Sequence, residues 1–350
     1  VTRAGAGMAA DIDEQPAGYA RLLSAANAAE IARVAAVIAE RRPRHVVFTA
    51  RGTSDHAALY GAYLTEIRLG LPAGLASPSA VTLFGARPDL SDALVVGVSQ
   101  SGGSPDLAEV LRAARATGAL TLAVTNAPGS PLAEVAELSI DIAAGHERAV
   151  AATKTYTAEL LALLMLVEGI RAGDGVLPAA EREALDALPE LAARTLTDGT
   201  PAQLAPRYRF ARQLVTTGRG YAYPTAREAA LKLMETSYLP ALAFSGADLL
   251  HGPLAMTDPE VPVLALVGSG PGGRSMGEVL PRLGERRADV VVVGSADVPG
   301  ATRLAVPEVD ERYAPLLDIL PLQRLALALA LTRGEDPDAP RGLKKVTATM

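Results

Sequence analysis

Residues 46–52, an apolar run closing on Arg51-Gly52, return as residues 214–220, closing on Arg219-Gly220. An internal repeat of this size sets the architecture before any single element is assigned. The register holds further along: residues 95–102 pair with 263–270 as an apolar strand entering a Ser-Gly turn, 109–111 with 278–280, and 120–125 with 289–294, the offset drifting by one residue. Two copies of one domain follow. Within each, short Val/Leu/Ala runs alternate with longer amphipathic stretches, the pattern of a mainly parallel sheet covered by helices on both faces. The expected fold class is therefore α/β, two tandem three-layer α/β/α domains. In the first copy strands are expected near 45–50, 73–77, 93–98, 119–124 and 137–142, with helices at 105–117, 132–136 and 156–170. The expected organisation is a helical segment over 1–34, a first domain over 35–172, a linker over 173–205 built on one helix at 179–196, a second domain over 206–335, and a tail over 336–350.

Composition narrows the partners. With 49% hydrophobic and 21% charged residues the chain can bury a full core. Acidic residues outnumber basic ones, 39 to 33, and no Lys/Arg-dense stretch exists to neutralise phosphates, which argues against nucleic acid. Residues 1–15 lack a charged-then-apolar signal pattern, and no apolar run approaches the roughly 18 residues of a membrane span, so a cytoplasmic protein without membrane contact is expected. The absence of cysteine removes disulfides, thiolate metal sites and cysteine nucleophiles. The four histidines, His45, His56, His146 and His251, are too scattered for a histidine metal site. Neither metal nor cofactor is expected.

Among 33 basic residues only Lys154, Lys232, Lys344 and Lys345 are lysine. Where a surface charge suffices this chain uses arginine, which stays protonated. An amine can lose its proton and form an imine, so these four positions invite a chemical reason.

The motifs gather at expected strand ends. Ser99-Gln100-Ser101-Gly102-Gly103-Ser104 follows an expected strand and precedes a helix opening with Pro105. Hydroxyls, an amide and two glycines at a helix start suit an anion. A plain turn with Ser104 as N-cap explains one of the serines but not all of them. The lysine of a nucleotide phosphate loop is missing, which favours a small phosphorylated metabolite. Ser54, after Arg51-Gly52-Thr53, repeats the arrangement at the first strand. Residues 145–154 hold Glu147, Arg148 and Lys154, close enough to pair among themselves, and also Val150. In the second copy Glu228, Lys232 and Glu235 are spaced four and three apart and share one helix face, either a solvated salt-bridged face or, given apolar flanks, a partly buried one. His251 stands before Gly252-Pro253, suited to proton transfer near neutrality. Lys344 and Lys345 are adjacent, and a neighbouring cation can make an amine nucleophilic toward a carbonyl.

These segments, in order and spacing over essentially the whole chain, resemble the paired sugar-isomerase (SIS) domains of the glucosamine-6-phosphate synthase family, and also its stand-alone phosphosugar isomerases and glucosamine-6-phosphate deaminases. The resemblance implies that Ser99, Gln100, Ser101 and Ser104 hold a sugar phosphate, that Ser54, Val150 and Lys344 line the sugar, and that Glu235 shuttles a proton between C1 and C2 beside Lys232 and Glu228. It further implies that His251 opens the ring from the neighbouring subunit of a homodimer and that Lys345 forms a Schiff base with the open ketose. Gly103 and Ser104-Pro105 are more similar to the deaminase-like members, whereas Met234 and Leu250 stand where the synthase carries lysines. These residues include no glutaminase segment and no cysteine to serve one, so glutamine is not expected as nitrogen donor. The leading expectation is an aldose-ketose isomerase or aminosugar-phosphate deaminase. The alternatives are a deglycase cleaving a sugar-phosphate adduct of an amino acid and a non-catalytic phosphosugar-binding regulator.

Overall fold

The computed structural model describes residues 3–343 and 345. Two compact units form. The first comprises Gln15–Glu147, Lys154–Pro189 and Lys345; the second comprises residues 3–14, Arg148–Thr153 and Glu190–Leu343.

In the first unit five strands, β1 (His45–Thr49), β2 (Ala73–Leu75), β3 (Ala93–Ser99), β4 (Leu120–Thr125) and β5 (Leu138–Asp141), pair in parallel in the order β2-β1-β3-β4-β5. In the second, β6 (Leu214–Gly218), β7 (Ala241–Ser245), β8 (Pro262–Leu266), β9 (Asp289–Gly294) and β10 (Thr302–Ala305) take the order β7-β6-β8-β9-β10, again parallel. The two orders are the same path followed twice, and the sequence repeat maps β1 onto β6, β3 onto β8 and β4 onto β9. Both units are helix-flanked parallel sheets, as the alternation of apolar runs requires.

Central strands are buried on both faces, which is why β3 reads as an unbroken apolar run with every residue inside. Helix Pro105–Ala116 lays Leu107, Val110 and Leu111 on that sheet, and in the second unit Met276, Val279 and Leu283 cover β8 and β9 in the same way. Each such side chain contributes about 1.5–3 kcal/mol relative to exposure. Strand order reverses between β1 and β3, and between β6 and β8, so the carboxyl ends of those pairs open the crevices where open α/β sheets take ligands.

Two expectations are corrected and a third is refined. The segment at 179–196 is two helices, Ala179–Asp186 and Leu188–Leu196, because Pro189 has no N–H to donate and disfavours helical backbone before it. The segment at 1–34 is helical as expected, and its helices divide between the units: helix Ala6–Asp13 belongs to the second, where Asp338 accepts the Gly7 and Met8 N–H groups at 2.7 and 2.8 Å. Helices Gln15–Leu22 and Ala25–Arg41 belong to the first, and the latter runs well past residue 34. Finally, helix Ala314–Thr332 is long and apolar enough by composition to cross a membrane; 78% of its apolar window lies buried within the protein, marking it as a core helix.

That helix carries Asp318, buried among Leu and Ile side chains. Burial first, and then the negative charge of Glu311, raise its pKa to about 8. An unfolded chain releases this proton near pH 4, whereas the folded one keeps it to about pH 8. Stability must then fall as pH rises between those values, by up to about 1.4 kcal/mol per pH unit. Asp318→Asn should remove this slope, so its melting temperature should exceed that of the parent by a margin that widens from pH 5 to pH 8. Parallel curves for the two proteins would refute the assignment.

Candidate active site

In the first unit, β3 delivers Ser99 and the loop through Ser104 to the carboxyl edge of the sheet, at the β1/β3 reversal. Gly102 takes a positive φ of 59°, and a Cβ there would lie 1.9 Å from the Ser130 hydroxyl oxygen, so only glycine allows the loop to turn this tightly. Two hydroxyls fold back to shape it: the Gly102 N–H donates to Ser99 Oγ at 3.1 Å and the Gly103 N–H to Ser101 Oγ at 3.3 Å. The Gln100 carbonyl accepts from the Asn126 N–H at 3.2 Å, tying the loop to the end of β4. Ser104 occupies the N-cap position of helix Pro105–Ala116 but makes no side-chain cap hydrogen bond. A structural cap therefore does not account for its hydroxyl.

Ser54 stands on the other side of the reversal, on helix Thr53–Leu64. It is nearly buried, and its hydroxyl donates to Glu159 Oε1 at 2.7 Å.

Lys345 also lies in the first unit, with its ammonium 3.5 Å from Glu147 Oε2. The Glu147 side chain is fully buried and accepts from Thr155, the hydroxyl at 2.5 Å and the N–H at 3.4 Å, so the tail lysine docks on a fixed carboxylate. Sequence reasoning placed Glu147 only in a local ion pair. Lys154 is buried and donates to the His146 carbonyl at 2.6 Å. Lys344 lies outside the described residues.

The second unit holds the remaining groups. Helix Ala222–Ser237, following β6, carries Glu228, Lys232 and Glu235 on one face. Lys232 Nζ is 3.3 Å from Glu228 Oε1 and 2.5 Å from Glu235 Oε2, with side-chain exposures of 0% for Glu228, 1% for Lys232 and 23% for Glu235. The face is buried, not a solvated salt-bridged surface, and only its last member reaches outward. Burial opposes the lysine's charge, but the two carboxylates outweigh it and hold the Lys232 amine above its ordinary pKa. Lys232 thus stays an ammonium, which no carbonyl can draw into an imine.

Val150 is half-buried on the short segment Arg148–Thr153. Asp11 anchors that segment, its Oδ2 accepting from the Arg148 N–H at 2.6 Å and the Ala149 N–H at 2.9 Å. His251 is exposed, just after helix Gly246–Leu250, with its N–H donating to the Asp248 carbonyl at 3.1 Å.

The two repeats differ where they should match. The loop after β8, at the β6/β8 reversal, corresponds to the serine loop, yet there the Gly272 and Gly273 N–H groups donate to the two carboxylate oxygens of Glu311 at 3.1 and 2.9 Å. A carboxylate of the chain itself takes the place that in the first unit is framed by hydroxyls.

Comparison with known proteins decides the family. The SIS domain profile matches residues 41–169 and 208–333, one match on each sheet. The chain belongs to the SIS domain family. Among relatives of this SIS chain, a glutamine–fructose-6-phosphate aminotransferase (isomerizing) of Gloeobacter violaceus is 37% identical over 319 residues, 86% of this chain and 51% of its own. The chain spans about half the length of the curated relatives it matches. The solved C-terminal domain of a glucosamine-fructose-6-phosphate aminotransferase from Francisella tularensis superposes with a TM-score of 0.86 at 26% identity, covering 95% of this chain and 98% of that one. A solved chain from Silicibacter pomeroyi DSS-3, proposed to be a phosphosugar isomerase, gives 0.85 at 37% identity, covering 95% and 99%.

Proposed function

We propose that this SIS chain is an enzyme of phosphosugars that converts glucosamine 6-phosphate and water into fructose 6-phosphate and ammonia. The observation that carries the reading is Lys345 docked on the buried Glu147 in the unit that also holds the serine loop. A binding module needs the loop alone; Lys345, 29% exposed and set beside Glu147 at 3.5 Å instead of enclosed between two carboxylates as Lys232 is, adds an amine that imine chemistry can use. The names of the similar proteins, isomerizing aminotransferases and a phosphosugar isomerase, support the substrate class.

In the proposed mechanism Ser99, Gln100, Ser101 and Ser104 hold the phosphate, with Ser54, Val150 and Lys344 along the sugar. His251 moves a proton onto the ring oxygen as the pyranose opens to the aldehyde. Glu235 takes the proton from C2 and returns one to C1, turning the 2-amino aldose into the C2 imine of the ketose. The Lys345 amine adds to C2 and ammonia leaves. Water then cleaves the lysine imine, releasing fructose 6-phosphate and restoring the amine. Glu228 and Lys232 hold Glu235 in place throughout. The exposed position of His251 in its own unit supports service to a partner subunit, so a homodimer is part of the proposal. A charged phosphosugar as substrate goes with a cytoplasmic location.

The test is ammonia and fructose 6-phosphate release from glucosamine 6-phosphate by the purified protein. Lys345→Arg keeps the positive charge but cannot form the imine, so it should bind the sugar phosphate and fail to turn it over. Unchanged turnover would remove Lys345 from the mechanism. Tight binding without release by the parent protein would overturn the deaminase reading in favour of amino-acid adducts as substrates or a regulatory binding role.

A further inference from the structure

The serine loop offers hydroxyls and backbone N–H groups but no cation, although a sugar phosphate brings close to two negative charges. The structure also sets an acid beside it. Asp106 is the second residue of helix Pro105–Ala116, two positions beyond Ser104, and its side chain is fully buried. Its Oδ1 accepts from the Leu107 N–H at 2.9 Å, which fixes the carboxylate at the helix start. A buried anion there opposes a second anion in the adjoining loop.

Arg51 answers that charge from across the β1/β3 reversal. It follows β1, and Gly52 after it takes φ 56° and ψ −128°, backbone that a side chain would strain. The guanidinium donates from Nε to Asp106 Oδ2 at 2.8 Å, with Nη2 2.7 Å from the same oxygen. The Arg51 side chain remains 48% exposed, so part of its planar group stays open to solvent while the rest meets the buried carboxylate.

We propose that Arg51 is a specificity-determining residue for the phosphate group: it neutralises Asp106 and presents a charged hydrogen-bonding edge beside the serine loop, so that phosphorylated sugars are selected over neutral ones. The inference rests on the phosphate role of the serine loop in the proposed function. Asp106, acting through Arg51, is a positioning residue. Arginine suits the task because its fork can serve a carboxylate and an oxyanion at once.

The experiment measures binding of glucosamine 6-phosphate and of unphosphorylated glucosamine by calorimetry to the parent protein and to Arg51→Met, Asp106→Asn, the double variant and, as comparator, Ser101→Ala. Arg51→Met should weaken the phosphorylated sugar by roughly 10- to 100-fold, leaving the unphosphorylated one as weak as before. Removing the uncompensated acid should restore much of that loss, so the double variant should bind more tightly than Arg51→Met, while Asp106→Asn alone, which releases Arg51 from its anchor, should bind more weakly than the parent but by less than Arg51→Met. In turnover, Arg51→Met should raise KM with kcat nearly unchanged, a split that general loss of folded protein does not produce. Equal binding by Arg51→Met and parent, or a double variant no better than the single one, would overturn the proposal. Failure of the parent to prefer the phosphorylated sugar, or an unaffected Ser101→Ala, would instead overturn the phosphate role of the loop itself.

Discussion

Glu235→Gln is expected to lower turnover of glucosamine 6-phosphate by roughly 10²–10⁴-fold, the range associated with losing a positioned general base. Glutamine preserves the shape of the side chain and can still meet the Lys232 ammonium through its carbonyl, so folding and sugar-phosphate affinity should change little. What disappears is the capacity to take a proton. Within the cluster of Glu228, Lys232 and Glu235, Glu235 alone is partly exposed, at 23%, which is why the proton-transfer role is proposed for it and not for the fully buried Glu228. The direct readout is exchange of solvent deuterium into fructose 6-phosphate at C1, followed by NMR, which reports the C1–C2 proton transfer without requiring ammonia release. Exchange at the parental rate in Glu235→Gln would assign the base to another group, even if deamination were slowed.

Much of this arrangement was legible in the sequence because it is written locally. The fully apolar run of β3 and the Ser99–Ser104 loop are contiguous signals, and the 168-residue repeat reappears in the fold as identical strand order. Spacing of four and three also placed Glu228, Lys232 and Glu235 on one face. It did not reveal that the face is buried, because periodicity fixes direction around a helix axis and not what packs against it. The long-range pairs were not legible. Glu147 meets Lys345, Ser54 meets Glu159, and Asp11 holds the backbone of Arg148 and Ala149, each across a separation of more than 100 residues that leaves no periodic trace. Glu311 was hidden for a further reason: it fills a glycine-rich loop that resembles its repeat partner in sequence, while the carboxylate comes from the segment after β10, 38 and 39 residues further along the chain. The divided helix at 179–196 was within reach, since Pro189 marks the break in the sequence itself.

Lys232→Met should destabilise the second unit by about 3–5 kcal/mol, the cost of leaving buried charge without its counter-ion. Methionine nearly matches the lysine stem in volume, so packing loss is small and the penalty is electrostatic: Glu228, wholly buried, would face Glu235 with no cation between them. A surface pair such as Arg33 and Glu30, both half-exposed, is worth at most about 1 kcal/mol, so denaturant unfolding separates the two cases clearly. A loss below about 1 kcal/mol for Lys232→Met would show that the cluster is hydrated and that its charges are not confined. The double variant Lys232→Met/Glu228→Gln distinguishes stability from catalysis. With one carboxylate neutralised, most of the stability should return, because a buried pair can be replaced by neutral groups at little net cost. Turnover should not return, since Glu235 would lack the ammonium that holds it toward the substrate. Recovery of both together would mean that the Glu–Lys–Glu row serves the fold alone, whereas recovery of stability without activity would identify the buried lysine as a device for orienting a base.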